Sequence, residues 1–272
     1  MITKESVDLK PDCKNCFALC CVALPFNQSN EFAFNKDAGI PCKNLSSNFL
    51  CNIHTSLRES GCKGCTVYEC FGAGQKVSQD IYKGEHWRER IDMKEEMFQV
   101  FPIVQQLHEM LWYMHESLDK VTSKDLHKQI NDMIINTEDL VNQDPERILG
   151  IDVSEHRAKV NPLLLKVSKL HREKIKNKGK FTIPNNRFLM GAKLKNKNLR
   201  GANLRGVLLI GADLRESDLQ YTDLIGADLR DTDIRGTNLL NCIFLTQVQI
   251  NAAIGDKHTK IPEYLVKPTH WQ

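Results

Sequence analysis

The sequence predicts a multidomain protein with a small cysteine-rich amino-terminal module, an α-helical middle and a carboxy-terminal repeat region. Three observations carry this. Nine of the ten cysteines fall between Cys13 and Cys70, an apolar three-and-four spacing follows, and a large apolar residue then recurs at every fifth position. The divisions expected are 1–85, 86–180 and 181–272.

Composition sets the outer limits. A chain of 272 residues can bury a substantial core without covalent staples. Its 37 basic and 34 acidic residues leave a formal charge of +3, which argues neither for nor against a nucleic-acid coat. No apolar run reaches the roughly 18 to 20 residues of a membrane helix, and the opening "MITKESVDLKPD" resembles no secretory signal. The compartment expected is therefore the cytoplasm, where thiols stay reduced. Clustered cysteines there read as metal ligands and not as disulfides.

In the first zone turn formers abound and no hydrophobic period persists, so something besides a large core must hold it. Cys13-x2-Cys16 and Cys62-x2-Cys65 can each bring two sulfurs to one ion across a tight turn. Cys20, Cys21, Cys42, Cys51 and Cys70 add thiols, and His54 follows Cys51 by three residues. Adjacent Cys20 and Cys21 point in different directions, which favours two neighbouring sites over one. The ligands expected are Cys13, Cys16, Cys20, Cys21, Cys42, Cys51, Cys65 and Cys70, with His54 and Cys62 as the weakest members. They would satisfy two tetrahedral zinc ions, and an iron–sulfur cluster is the alternative, although the ferredoxin run has C-x2-C-x2-C where the third interval here is three residues. A closed thiolate set is structural and not catalytic. The array "CKNCFALCC", "PCKNL", "CNIH" and "GC" resembles a family of zinc- or iron-chelating cysteine clusters. Related clusters are linked to protein methylation, so an iron–sulfur enzyme or redox sensor is one function that the resemblance implies. "FGAGQK" lacks the order of a phosphate-binding loop and reads as a turn after Cys70.

From about 86 to 178 the pattern is helical. Met93, Met97, Val100, Phe101, Val104, Leu107, Leu111, Met114 and Leu118 share one face, and Pro102 would start a new helix or kink a long one. Further helices are expected near 124–142 and 155–176, with Ser123 and Ser154 as caps. His108 and His115 lie seven apart without a third ligand and read as core or surface residues. The face with Phe98, Phe101, Leu111 and Trp112 is apolar enough for an internal core or a homodimer seam. The lysine-rich "REKIKNKGK" reads as a frayed helix end or linker.

The last zone repeats every five residues: Leu189, Leu194, Leu199, Leu204, Leu209, Leu214, Leu219, Leu224, Leu229, Ile234, Leu239 and Phe244. Neither a helix face nor a strand face has that period. Small residues such as Ala212, Ser217, Thr222 and Ala227 stand two positions earlier, and Asp or Asn often fills the place between. The stretch "GADLRESDLQYTDLIGADLRDTDIRGTNL" resembles the pentapeptide-repeat family. That resemblance implies a right-handed quadrilateral β-helix of about three coils, capped by the tail after Phe244. It also raises one function, the imitation of DNA by proteins that protect type II topoisomerases. Such a mimic needs a uniformly acidic surface. Residues 189–208 carry five basic and no acidic side chains, 209–228 carry five acidic and one basic, and 229–248 carry two of each. The resulting dipole argues against mimicry and against direct nucleic-acid binding. The function expected is a non-enzymatic metal-binding scaffold for a protein partner.

Overall fold

The computed structural model describes residues 9–175, 183–184 and 187–271. Of the run "REKIKNKGK" expected as a frayed helix end or linker, residues 176–180 lie outside the described residues. The chain divides into two compact units, Met1–Leu164 and Leu165–Gln272.

The first unit opens with short elements. A 3-10 turn, Cys13–Asn15, is capped by Asp12, whose side chain accepts the Lys14 N–H. It is followed by α1 (Leu19–Val22), α2 (Lys63–Thr66) and α3 (Ala73–Gln75), which runs into a π-helical turn, Lys76–Ile81. Few bridges order the segments between them: Phe26 pairs with Lys36, and Leu45 with Cys51. Leu19 and Val22 of α1 are fully buried.

Behind these elements, α4 (Lys94–Leu118) continues through Pro102 as one long helix, so no new helix starts there. An interior proline costs about 3 kcal/mol. Met97, Val100, Phe101, Val104, Leu107 and Met114 are fully buried along the same helix, each contributing about 1.5–3 kcal/mol, and this burial outweighs the loss. With Phe98 and Leu111 also buried inside the unit, that face is internal core. The buried His108 ring shares a 2.7 Å hydrogen bond with the Phe71 carbonyl. Next, α5 (Lys124–Val141) begins at Ser123, whose hydroxyl accepts the Leu126 N–H. After α6 (Pro145–Leu149), α7 (Val153–Glu173) takes Ser154 inside the helix. The cap there is Asp152, whose carboxylate accepts the Glu155 N–H at 2.9 Å.

The second unit corrects the expected β-helix: the described residues contain no β-strand. Isolated parallel bridges instead link residues twenty apart, among them Lys193 to Asp213, Asp213 to Asp233 and Asn198 to Asp218. The reason lies in the backbone. A left-handed residue returns every five positions, at Gly191, Asn196, Gly201, Gly206, Gly211, Glu216, Tyr221, Gly226, Asp231, Gly236 and Asn241. Each one bends the chain after a single bridged residue, so no side of the stack grows into a strand.

All twelve five-spaced residues from Leu189 to Phe244 are buried, and the eleven from Leu189 to Leu239 share one apolar core. The small positions beside them also carry hydrogen bonds. Ser217 donates to the Leu194 carbonyl at 2.7 Å, Thr232 to Leu209 at 2.8 Å and Thr237 to Leu214 at 2.7 Å, each stitching one layer to the previous one. Asp213, Asp218, Asp223, Asp228 and Asp233 each accept the N–H two residues ahead, the local turn for which Asp is suited. In the first layer Arg187 and Lys197 stay exposed at places that later layers fill with small residues. The tail closes the far end. Thr246 and Gln249 form a capping box on α8 (Gln247–Ala252), and Ile254 and Lys260 bridge Asp233 and Asn238. Trp271 lies so close over Gly255 that a Cβ there would meet its ring at 2.5 Å.

Candidate metal centre

All ten cysteines are free thiols. Nine are brought together in the first unit from separate short segments. The 3-10 turn carries Cys13, and Cys16 ends it; Cys20 and Cys21 sit on α1. Cys42 is drawn in by its N–H, which donates to the Cys21 carbonyl at 3.0 Å. Cys51 pairs with Leu45, Cys62 caps α2, Cys65 lies on α2, and Cys70 precedes α3.

Charge couples the thiols across these segments: Cys16 and Cys70 act on Cys20, and Cys21 acts on Cys13, Cys51 and Cys65. The sulfurs of Cys20 and Cys21 stand 3.9 Å apart.

Backbone geometry serves these sulfurs. The N–H groups of Leu19 and Ala18 act on Cys16, those of Gly74 and Gly72 on Cys70, and that of Ile53 on Cys51. Left-handed conformations accompany this arrangement at Ala18, Phe71 and Gly72. Such N–H donation favours the thiolate. Gly74 forms a cradle: a Cβ there would stand 2.6 Å from the Cys16 sulfur and 3.9 Å from that of Cys70.

Desolvation works in the opposite direction. It pushes the Cys65 and Cys70 thiols up to about 12 and also raises Cys13, Cys16, Cys51 and Cys62. Cys65 is exposed as a residue, so the cause is protein crowded around its sulfur and not a closed surface. Between the adjacent pair, the hydrogen bond to Cys21 holds the proton on Cys20, and the same bond lowers Cys21. Burial likewise raises Tyr68 and Glu69, which adjoin Cys70. Thiolates in such surroundings require a cation close by.

Among the described residues, no three His, Cys, Asp or Glu side chains converge closely enough to hold an ion. The sulfurs are gathered without sharing one centre. The donor set is soft and suits zinc or iron. His54 is exposed on a 3-10 turn, and Cys62 is only 2 % exposed. Cys242 is buried in the repeat column.

Lys36 had no mark in the sequence. It is 6 % exposed, and its ammonium donates to the carbonyls of Val22, Leu24 and Asp37 at 3.1, 2.6 and 3.0 Å. Burial lowers its pKa, against which the charges of Cys42, Cys21 and Cys20 act.

Residues 189–220, 198–236 and 208–244 match the model of the pentapeptide-repeat family, with eight copies. The second unit is thus built on pentapeptide repeats. Across almost its whole length the chain is similar to the "Uncharacterized protein YybG" of Bacillus subtilis (strain 168). The two are 56 % identical over 266 residues, covering 97 % of this chain and 95 % of the relative. The chain belongs to the same family as that protein. No solved structure matches it. Among the described residues, no helix is long and apolar enough to cross a membrane.

Proposed function

We propose that this protein is a non-enzymatic scaffold whose amino-terminal thiols hold zinc and whose pentapeptide repeats offer a rigid surface to a protein partner. One observation supports the metal half above all: nine free thiols come from separate short segments of the first unit, with backbone N–H groups favouring the thiolate at three of them. The resemblance of the array to metal-chelating cysteine clusters points the same way. In this reading zinc supplies cross-links between short segments that have little core of their own. The thiols bind and position, and the repeats display.

The surface of the repeats favours a protein partner over imitation of DNA. Five aspartates of the repeats face an arginine. Asp218 and Asp223 pair with Arg200 and Arg205 at 2.9 and 3.1 Å, and Asp213, Asp228 and Asp233 pair with Arg215, Arg230 and Arg235 at 2.6, 2.7 and 2.6 Å. A face of paired charges has little net field to offer a basic DNA-binding groove. Metal and labile-sulfide analysis of anaerobically purified protein tests the reading. Colourless protein with about two zinc ions per chain is expected; brown protein with iron and sulfide would support the redox alternative. Gyrase supercoiling should be unaffected by the protein, and inhibition would revive the topoisomerase reading.

A further inference from the structure

Where a side of the repeat stack is charged, an aspartate precedes the inward residue and an arginine follows it: Asp213 and Arg215, Asp228 and Arg230, Asp233 and Arg235. One side breaks this rule in its first two layers. Phe188 and Met190 flank Leu189 there, and Leu208 and Ile210 flank Leu209. The four stack on one another, because Phe188 bridges Leu208 and the Gly191 N–H donates to the Ile210 carbonyl at 2.9 Å. Phe188 and Met190 are 57 % and 56 % exposed, and Leu208 and Ile210 are half-buried. Ile243 also takes an aspartate place, yet it is fully buried. The patch instead leaves apolar surface in water at places where charge would be better solvated.

Charge changes sign between the same two layers. Residues 189–208 carry five basic and no acidic side chains, and 209–228 carry five acidic and one basic. Round the corner from the patch, Lys193 of the first layer bridges Asp213 of the second. Among the described residues Lys193 joins no ion pair, and Lys195 reaches Glu216 only at 3.8 Å. A partner of one sign would suit one layer and be repelled by the other. A second copy laid antiparallel suits both: each layer meets its opposite, and each column of side chains meets itself with the layers exchanged. Laid parallel, the two copies would set like charges together. Two-fold symmetry allows the antiparallel pairing, since one self-complementary patch serves both chains.

We propose that this side of the repeats is the seam of a homodimer of antiparallel stacks, with Phe188 on the partner's Leu208, Met190 on the partner's Ile210 and Lys193 beside the partner's Asp213. Two layers of about 4.8 Å each make a small seam, so the association is weak and depends on concentration. The proposal rests on the reading of the repeats as a display surface and names a second copy of this chain as a partner for it.

Sedimentation velocity of the full chain from about 1 to 100 μM tests it. The unaltered chain should pass from monomer to dimer. Met190→Lys and Ile210→Glu should each weaken that dimer at least about tenfold, because each buries two unpaired charges in the seam. An equal mixture of the two variants should dimerise again, since the lysine at 190 of one chain then meets the glutamate at 210 of the other. A parallel seam sets 190 on 190 and gives no such rescue. If either variant does not fold, hydroxyl-radical footprinting of the unaltered chain decides: modification of Phe188 and Met190 should fall as concentration rises, while that of exposed Leu240 and Val266 should not. A chain monomeric throughout, a dimer indifferent to both variants, or a mixture without rescue overturns the proposal. A monomer would leave the repeats free to display to another protein, so the failure of the seam is distinct from failure of the display reading.

Discussion

Gly74→Ala separates a requirement of the thiol array from ordinary helix energetics. Gly74 lies in α3, where alanine would normally stabilise the chain by about 1 kcal/mol. The added Cβ would stand 2.6 Å from the Cys16 sulfur and 3.3 Å from its Cβ, inside any normal contact. Overpacking of this kind costs about 1–3 kcal/mol. Subtracting the helix gain leaves a net destabilisation of about 0–2 kcal/mol, and displacement of Cys16 should carry it toward the upper end. Urea denaturation followed by tryptophan fluorescence reads the change, and Trp87 and Trp112 report on this unit. The midpoint should fall, and Cys16 should alkylate faster than in the unaltered chain. A variant more stable than the parent, with Cys16 labelling unchanged, would refute the close approach.

The repeats yield further expectations. Leu219→Ala removes a side chain only 1 % exposed from the apolar column and should cost about 2–5 kcal/mol in chemical denaturation. Thr237→Val keeps the shape but removes the 2.7 Å bond to the Leu214 carbonyl, a loss of about 1–3 kcal/mol by the same assay. Asp213 is held at about 2 chiefly by its hydrogen bonds from Arg215, so the pair's contribution is present above the ordinary carboxylate range and is lost as pH falls through about 2. Arg215→Gln should return the Asp213 carboxyl toward 3.8, a shift that an NMR titration would detect.

The repeat column was legible because burial at every fifth place allows no other period: each of the twelve positions is apolar and buried. The Asp turns were legible for the same local reason, since each carboxylate reaches only two residues ahead. The absence of strands was hidden by non-glycine corners. Glu216, Tyr221 and Asp231 hold left-handed conformations, and nothing in those side chains announces it. Pro102 left a fresh helix start open because local propensity does not weigh the burial around it. Ser154 was outcompeted as a cap by Asp152, two residues earlier. For the thiols, how the segments come together depends on long-range returns such as the Cys42 N–H to Cys21 carbonyl bond, which no spacing encodes. Lys36 and Gly74 left no signal because a buried lysine and a crowded glycine look ordinary until the chain is folded.

X-ray absorption of anaerobically purified full-length protein, scanned at the zinc and iron edges, tests the central claim most directly. Zinc surrounded by four sulfurs at about 2.3 Å, with no nitrogen or oxygen ligand, is the predicted result. Iron with short contacts to sulfide, or zinc with a histidine nitrogen or water in its shell, would contradict a structural, all-thiolate array.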